Sequence, residues 1–135
     1  MTYRISASSQ AGDKAIVQAK KSTIDFGIIA ADADALPSPA DLFLSSFAAC
    51  ILKNVERFSS LLKFTYARAS IEVEAVRLEN PPRMDSLEYT LVIYSEDDRL
   101  NVDLLKKNIE KYGTIYNTVK LSCKVSGNIS VKGGI

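Results

Sequence analysis

An α+β fold built around one long helix is what this sequence predicts, and three observations predict it. "SPADLFLSSFAACILKNVERF", residues 38–58, opens with a helix-start signature and then stays largely apolar. Alternating segments precede it and follow it in runs, instead of interleaving one by one with helices as βαβ units do. No repeat, linker or low-complexity stretch divides the chain, so residues 1–135 are expected to form one domain.

The elements follow in order. "TYRISAS" alternates apolar and polar residues as a half-buried strand does, "SSQAGDK" is a turn, and "AIVQAKKSTIDFG" supplies one or two further strands. "IIAADADALPS" connects them to the helix. There Ser38 caps, Pro39 suits the first helical position, and Asp41 stands three residues on, where an acid bonds back to the cap amide. Apolar residues continue to about Leu62, roughly 25 residues or 37 Å of helix. With so few charges in its first half, this helix is expected to be enclosed on several sides. "ARASIEVEAVRLEN" and "LEYTLVIYSED" both alternate and flank the turn "NPPRMDS", which predicts a long hairpin. "NVDLLKKNIEKYG" reads as a helix capped by Asn101 or Asp103 and stopped by Gly113. "TIYNTVK" adds a short helical turn, and "KVSGNISVKG" a closing strand.

Composition excludes several function classes. Lys and Arg number 17 against 16 Asp and Glu, interspersed, so no basic stripe invites nucleic acid. The apolar run around the helix is broken by Asp41 and is shorter than a membrane span, and "MTYRISASSQAGDK" has no apolar signal core. A cytoplasmic location without membrane attachment is therefore expected, with the two cysteines as free thiols. Histidine is absent. That rules out His-based metal sites, Ser-His-Asp triads and Cys-His dyads, and no metal or cofactor is expected.

Chemistry then centres on Cys50. On a helical wheel at about 100° per residue, Phe43, Ser46, Phe47, Lys53, Asn54, Arg57 and Leu61 fall within about 60° of it. The stripe is apolar before the thiol and cationic after it. A neighbouring Lys53 or Arg57 would favour thiolate and sharpen the nucleophile. The helix dipole gives no help, because the cysteine lies about 18 Å from the helix start. Asp41 is on the opposite side of the wheel. These patterns leave Cys50 open to two readings, a small hydrophobe filling a core or a reactive thiol.

"SPADLFLSSFAAC" resembles the motif of the OsmC/Ohr family, the osmotically inducible and organic hydroperoxide resistance proteins, in which a Pro, an acid and a Leu-rich helix lead to a small-small-Cys. The resemblance covers nearly the whole chain. It implies antiparallel strands around a long central helix, an intertwined homodimer, and a thiol site at the subunit interface. Cys50 matches the cysteine that reduces organic hydroperoxide through a sulfenic acid, and Asp41 the acid found in the motif of some members. The chain departs from the pattern at four places, one of them the Gly pair usual before the motif, which "ADADALPS" lacks. Ala40 follows Pro39 where the peroxidases have Glu; Gly113 of "GTIYNTVK" stands where the second cysteine usually opens the segment; and "SSQAGDK" lacks the activating arginine, leaving Lys14 as the nearest cation. Cys123, ten residues beyond Gly113, does not match the second-cysteine position.

The resemblance thus implies a thiol-dependent peroxidase that reduces organic hydroperoxides through Cys50 by a one-cysteine route, with an external thiol as reductant. Lys53 and Arg57 would aid the thiolate, and Phe43, Phe47, Tyr112 and Tyr116 would form an apolar pocket. The alternative is a non-catalytic dimer that binds a small apolar ligand at its interface.

Overall fold

The structure, a computed structural model, describes residues 1–133. It divides into two compact units, Met1–Phe43 and Leu44–Ile135.

In the first unit β1 (Ser6–Ser9), β2 (Ala15–Ala19) and β3 (Ser22–Phe26) form an antiparallel meander in that order. Gly12 makes the first turn at φ 72°, a backbone state that suits a residue without Cβ. The residues outside this meander include one turn of 3-10 helix, Ala30–Asp32. Ala15 is the one fully buried side chain among residues 1–43. At the start of α1 (Pro39–Leu61) the expected cap forms reciprocally: Asp41 N–H donates to Ser38 Oγ at 3.2 Å, while Asp41 Oδ2 accepts from Ser38 N–H at 2.9 Å.

The second unit holds the core. Residues Phe47, Ile51, Val55 and Phe58 recur every three or four positions on α1, so one face of the helix is buried. Burial of side chains this size stabilises by about 1.5–3 kcal/mol each. They pack in one cluster with Leu87, Tyr89, Leu91 and Ile93, the inward-facing alternate residues of β5 (Pro82–Tyr94), and with Leu105 and Ile109 of α2 (Val102–Tyr112). β5 pairs antiparallel with β4 (Arg68–Glu79), which gives the predicted hairpin. Its turn is tighter than "NPPRMDS" suggested: β5 already begins at Pro82, opposite Glu79, because a proline is tolerated at a strand's first residue.

Of the four strand pairings three are antiparallel, and the fourth, β5 with β6 (Lys124–Lys132), is parallel. A parallel neighbour needs a long crossover, and α2 with α3 (Thr114–Val119) supplies it. Asn101 caps α2, its Oδ1 accepting from Leu104 N–H at 3.1 Å. Gly127 of β6 lies opposite Tyr89, and a Cβ there would overlap the tyrosine ring. Among the described residues no helix is long and apolar enough to cross a membrane.

Candidate functional site

The backbone of α1 sets Cys50 between Phe47 and Ile51, both fully buried, so the cysteine sits at the edge of the core stripe and is partly exposed. One turn on, Asn54 is 8% exposed. Its Nδ2 donates to the Cys50 carbonyl oxygen at 2.8 Å and reaches Cys50 Sγ at 3.6 Å. A side chain four residues along a helix returns to the same face, which is why this contact needs no long-range folding.

A second element reaches the sulfur from far along the chain. Gly113 joins α2 to α3, its N–H donating to Ile109 O at 2.9 Å. A Cβ on Gly113 would lie 2.9 Å from that carbonyl oxygen, 3.0 Å from Tyr116 Cβ and 3.3 Å from Cys50 Sγ. Helix termination alone would suggest a left-handed cap at this position. The backbone is instead at φ −71°, ψ 115°, a state open to any residue. Glycine is required here by close approach and not by conformation.

Behind the thiol, the Phe47 ring stacks on Tyr116 at 5.8 Å between centroids and meets Tyr89 at 6.1 Å. Tyr89 donates its hydroxyl hydrogen to Glu110 Oε2 at 3.2 Å. Burial, reinforced by the Glu110 carboxylate, pushes the Tyr116 phenol up to about 12 and raises Tyr89 as well. Both stay neutral phenols through the physiological range and can donate a hydrogen bond but not act as bases.

The sequence-predicted residues separate into groups. Cys50, Phe47 and Tyr116 come together around Gly113, with Phe47 and Tyr116 buried in the core. Arg57 and Tyr112 form another cluster: the guanidinium lies 5.2 Å from the Phe58 ring centroid and 5.9 Å from that of Tyr112, which is 46% exposed. Lys53 is exposed. Phe43, in the first unit, is 38% exposed. Asp41 holds the helix start, and hydrogen bonds from the Ser38 amide and then its hydroxyl keep the Asp41 carboxyl below the usual range. Cys123 is buried, with its S–H directed to Met84 O at 3.5 Å, and neither cysteine is in a disulfide. Three cavities, of about 420, 540 and 140 Å³, have walls that do not include Cys50.

Sequence reasoning missed the parts played by Asn54, Gly113 and Glu110. Asn54 did fall on the cysteine's wheel stripe, and a polar residue amid apolar ones four positions after a cysteine was the available signal. Nothing local marks Gly113 as a neighbour of a residue on another helix.

The family model described as OsmC-like protein matches residues 31–127. The fold is similar to that of an OsmC-like protein from Mycoplasma pneumoniae, at TM-score 0.85 and 17% identity, covering 97% of both chains. It is also similar to the organic hydroperoxide resistance protein OhrB of Bacillus subtilis, at TM-score 0.64 and 18% identity, covering 96% of this chain and 98% of that one. An organic hydroperoxide resistance protein OsmC from Legionella pneumophila aligns at TM-score 0.65 and 17% identity over 98% of both chains. None of the curated proteins matches this sequence. At such identities the structural likeness speaks to the fold.

Proposed function

Since the chain belongs to the OsmC-like protein family, we propose that it reduces organic hydroperoxides through Cys50 by a one-cysteine route, with an external thiol as the reductant. The observation that carries this reading is a partly exposed cysteine on α1 whose sulfur is faced by a residue with no side chain, Gly113, while the other cysteine, Cys123, is buried against Met84. Two of the structural relatives are named as organic hydroperoxide resistance proteins, which supports the substrate class.

The chemistry balances as follows. Cys50 thiolate attacks the terminal oxygen of ROOH, an S–O bond forms and the O–O bond breaks. The sulfur is oxidised to sulfenic acid, and the peroxide is reduced to an alkoxide that takes a proton from water and leaves as alcohol. An external thiol then attacks the sulfenic sulfur, water departs, and a mixed disulfide remains. A second thiol, or the other arm of a dithiol, attacks that disulfide and returns Cys50 as thiolate with a small-molecule disulfide as product. Lys53 and Arg57 would provide positive charge for the thiolate and the departing alkoxide. Exposed Tyr112 would offer apolar surface to the alkyl group, with Phe47 and Tyr116 fixing the wall behind the sulfur.

The working form is proposed to be a homodimer. Residues 1–43 leave Tyr3 75%, Ile5 60%, Ile24 42% and Ile28 44% exposed. Ala49 and Phe43 on the apolar first half of α1 are exposed too. That much uncovered apolar surface calls for a partner. Light scattering after size exclusion is expected to give twice the 14.8 kDa chain mass; a monomer at micromolar concentration would refute the dimer.

The test of function is consumption of cumene hydroperoxide with added dithiothreitol. The parent protein is expected to consume it and Cys50→Ser is not, while Cys123→Ser turns over repeatedly. Equal background rates for parent and Cys50→Ser would refute the peroxidase and favour the non-catalytic ligand-binding dimer.

A further inference from the structure

Asparagine is a poor residue for the middle of a helix, and its amide is expensive to bury unless it is bonded. Asn54 is both mid-helix and 8% exposed. The structure shows where the amide goes. One nitrogen, Nδ2, carries two hydrogens and has two acceptors within reach, both on Cys50: the carbonyl oxygen at 2.8 Å and Sγ at 3.6 Å. The first bond anchors the amide to the helix backbone, which directs the second N–H at the sulfur. A thiol sulfur is a weak acceptor and a thiolate a strong one, so a donor held there favours the charged form.

We propose that Asn54 is a catalytic residue of this site, a neutral donor that holds the Cys50 thiolate through its Nδ2–H. The role rests on the peroxidase reading and supplies it with a stabilising group that does not depend on a cation. Charged and titratable groups on the elements that meet at the sulfur are Asp41, Lys53, Glu56 and Arg57 of α1, Asp103, Lys106, Lys107, Glu110, Lys111 and Tyr112 of α2, and Tyr116 of α3. Glu110 is engaged by tyrosine, and the Arg57 and Lys111 cations lie over the Tyr112 ring at 5.9 and 5.3 Å. The Asn54 amide, by contrast, reaches Sγ itself, at 3.6 Å. Gly113 also stands against the sulfur and brings only its backbone there, a Cβ at that position lying 3.3 Å from Sγ.

The test reads the thiol directly, without peroxide. In a Cys123→Ser background, Asn54→Leu is expected to slow alkylation of Cys50 by iodoacetamide about fivefold at pH 7, the size of one lost hydrogen bond. At about pH 10, where thiols are ionised without assistance, its rate should match the parent within about twofold. Asn54→Asp, nearly isosteric, replaces the donor with a negative charge and should slow the pH 7 reaction about tenfold or more. It also serves if the leucine variant does not fold. A folded variant with parental rates at both pH values would overturn the proposal and leave Asn54 as a partner of the helix backbone only. Equal slowing at both pH values would overturn it too, because that is a change of access. Should the alkylation contrast appear while the parent consumes no hydroperoxide, the donor role stands and the peroxidase reading falls.

Discussion

Replacing Gly113 with alanine tests whether the α2–α3 junction really stands against the Cys50 sulfur. The backbone at φ −71°, ψ 115° accepts alanine without strain, so a reduced entropy of the unfolded chain should stabilise by about 0.4–1 kcal/mol. Against this, the new methyl would lie 2.9 Å from the Ile109 carbonyl oxygen and 3.0 Å from Tyr116 Cβ, neither of which swings aside as a side-chain tip would. It would also press on Cys50 Sγ at 3.3 Å. Overpacking of this kind costs about 1–3 kcal/mol. The net expectation is a loss of about 1–2 kcal/mol, which for a urea slope of about 2 kcal/mol/M moves the midpoint down by roughly 0.5–1 M. Urea denaturation followed by circular dichroism measures it, and iodoacetamide alkylation of the folded variant should slow because the methyl narrows the approach to the sulfur. A midpoint that stays put or rises, as at an unconstrained position, would mean that the junction does not crowd the cysteine.

Other perturbations give distinct expectations. Ser38→Ala removes half of the reciprocal cap on α1 and should cost about 0.5–2 kcal/mol in denaturant, whereas Asp41→Asn should leave the hydroperoxide rate within about twofold; a tenfold fall in a folded Asp41→Asn protein would make the acid part of the chemistry. Tyr116 is a group raised in the folded state, to about 12, so its contribution is complete below the unfolded tyrosine value of about 10 and is lost as pH rises from there to about 12. Stability against alkali should therefore fall less steeply across that window in Tyr116→Phe, and an unchanged slope would dissociate the phenol from its Glu110 setting. Gly127→Ala puts a methyl into the fully buried Tyr89 ring and should cost about 1–3 kcal/mol or more. Pairing it with Tyr89→Leu should recover part of that loss, and strict additivity of the two changes would refute the contact.

Much of the fold was legible because its signals are local. The Ser38-Pro39-Asp41 start, the Asn101 cap and the period-two alternation of β4 and β5 each depend on residues a few positions apart. The direction of β6 was not legible, since a closing strand alternates identically whichever way it runs. The two-helix crossover is what makes it parallel to β5. At the site, periodicity places Phe47 beside the cysteine but cannot distinguish a pocket wall from a core side chain, and Phe47 is wholly buried between Tyr89 and Tyr116. Gly113 shows the same limit more sharply. Its sequence context is satisfied by helix termination, and its contact with Cys50 exists only because α2 packs beside α1's thiol.

That contact bears on how a thiol can work in a chain without histidine. Activation needs something to favour charge on sulfur, and re-reduction needs an open path to it. Long cationic side chains serve the first need loosely, since Arg57 stands over the Phe58 and Tyr112 rings, and a lysine head is mobile and strongly hydrated. A short amide anchored to the helix backbone at 2.8 Å loses little freedom in reaching the sulfur. On the proposed reading the second need would be met by subtraction: Gly113 presents only its backbone to Sγ, where a Cβ would lie 3.3 Å away, so an external thiol would meet no side chain from residue 113. The same substitution that would supply a methyl for stability in most loops would here obstruct the incoming reductant. On this account Gly113→Ala should slow the second half of the cycle, mixed-disulfide formation, at least as much as the first. Stopped-flow traces of sulfenic acid formation and decay would separate the two halves, and a variant slowed only in oxidation would count against the open-face explanation.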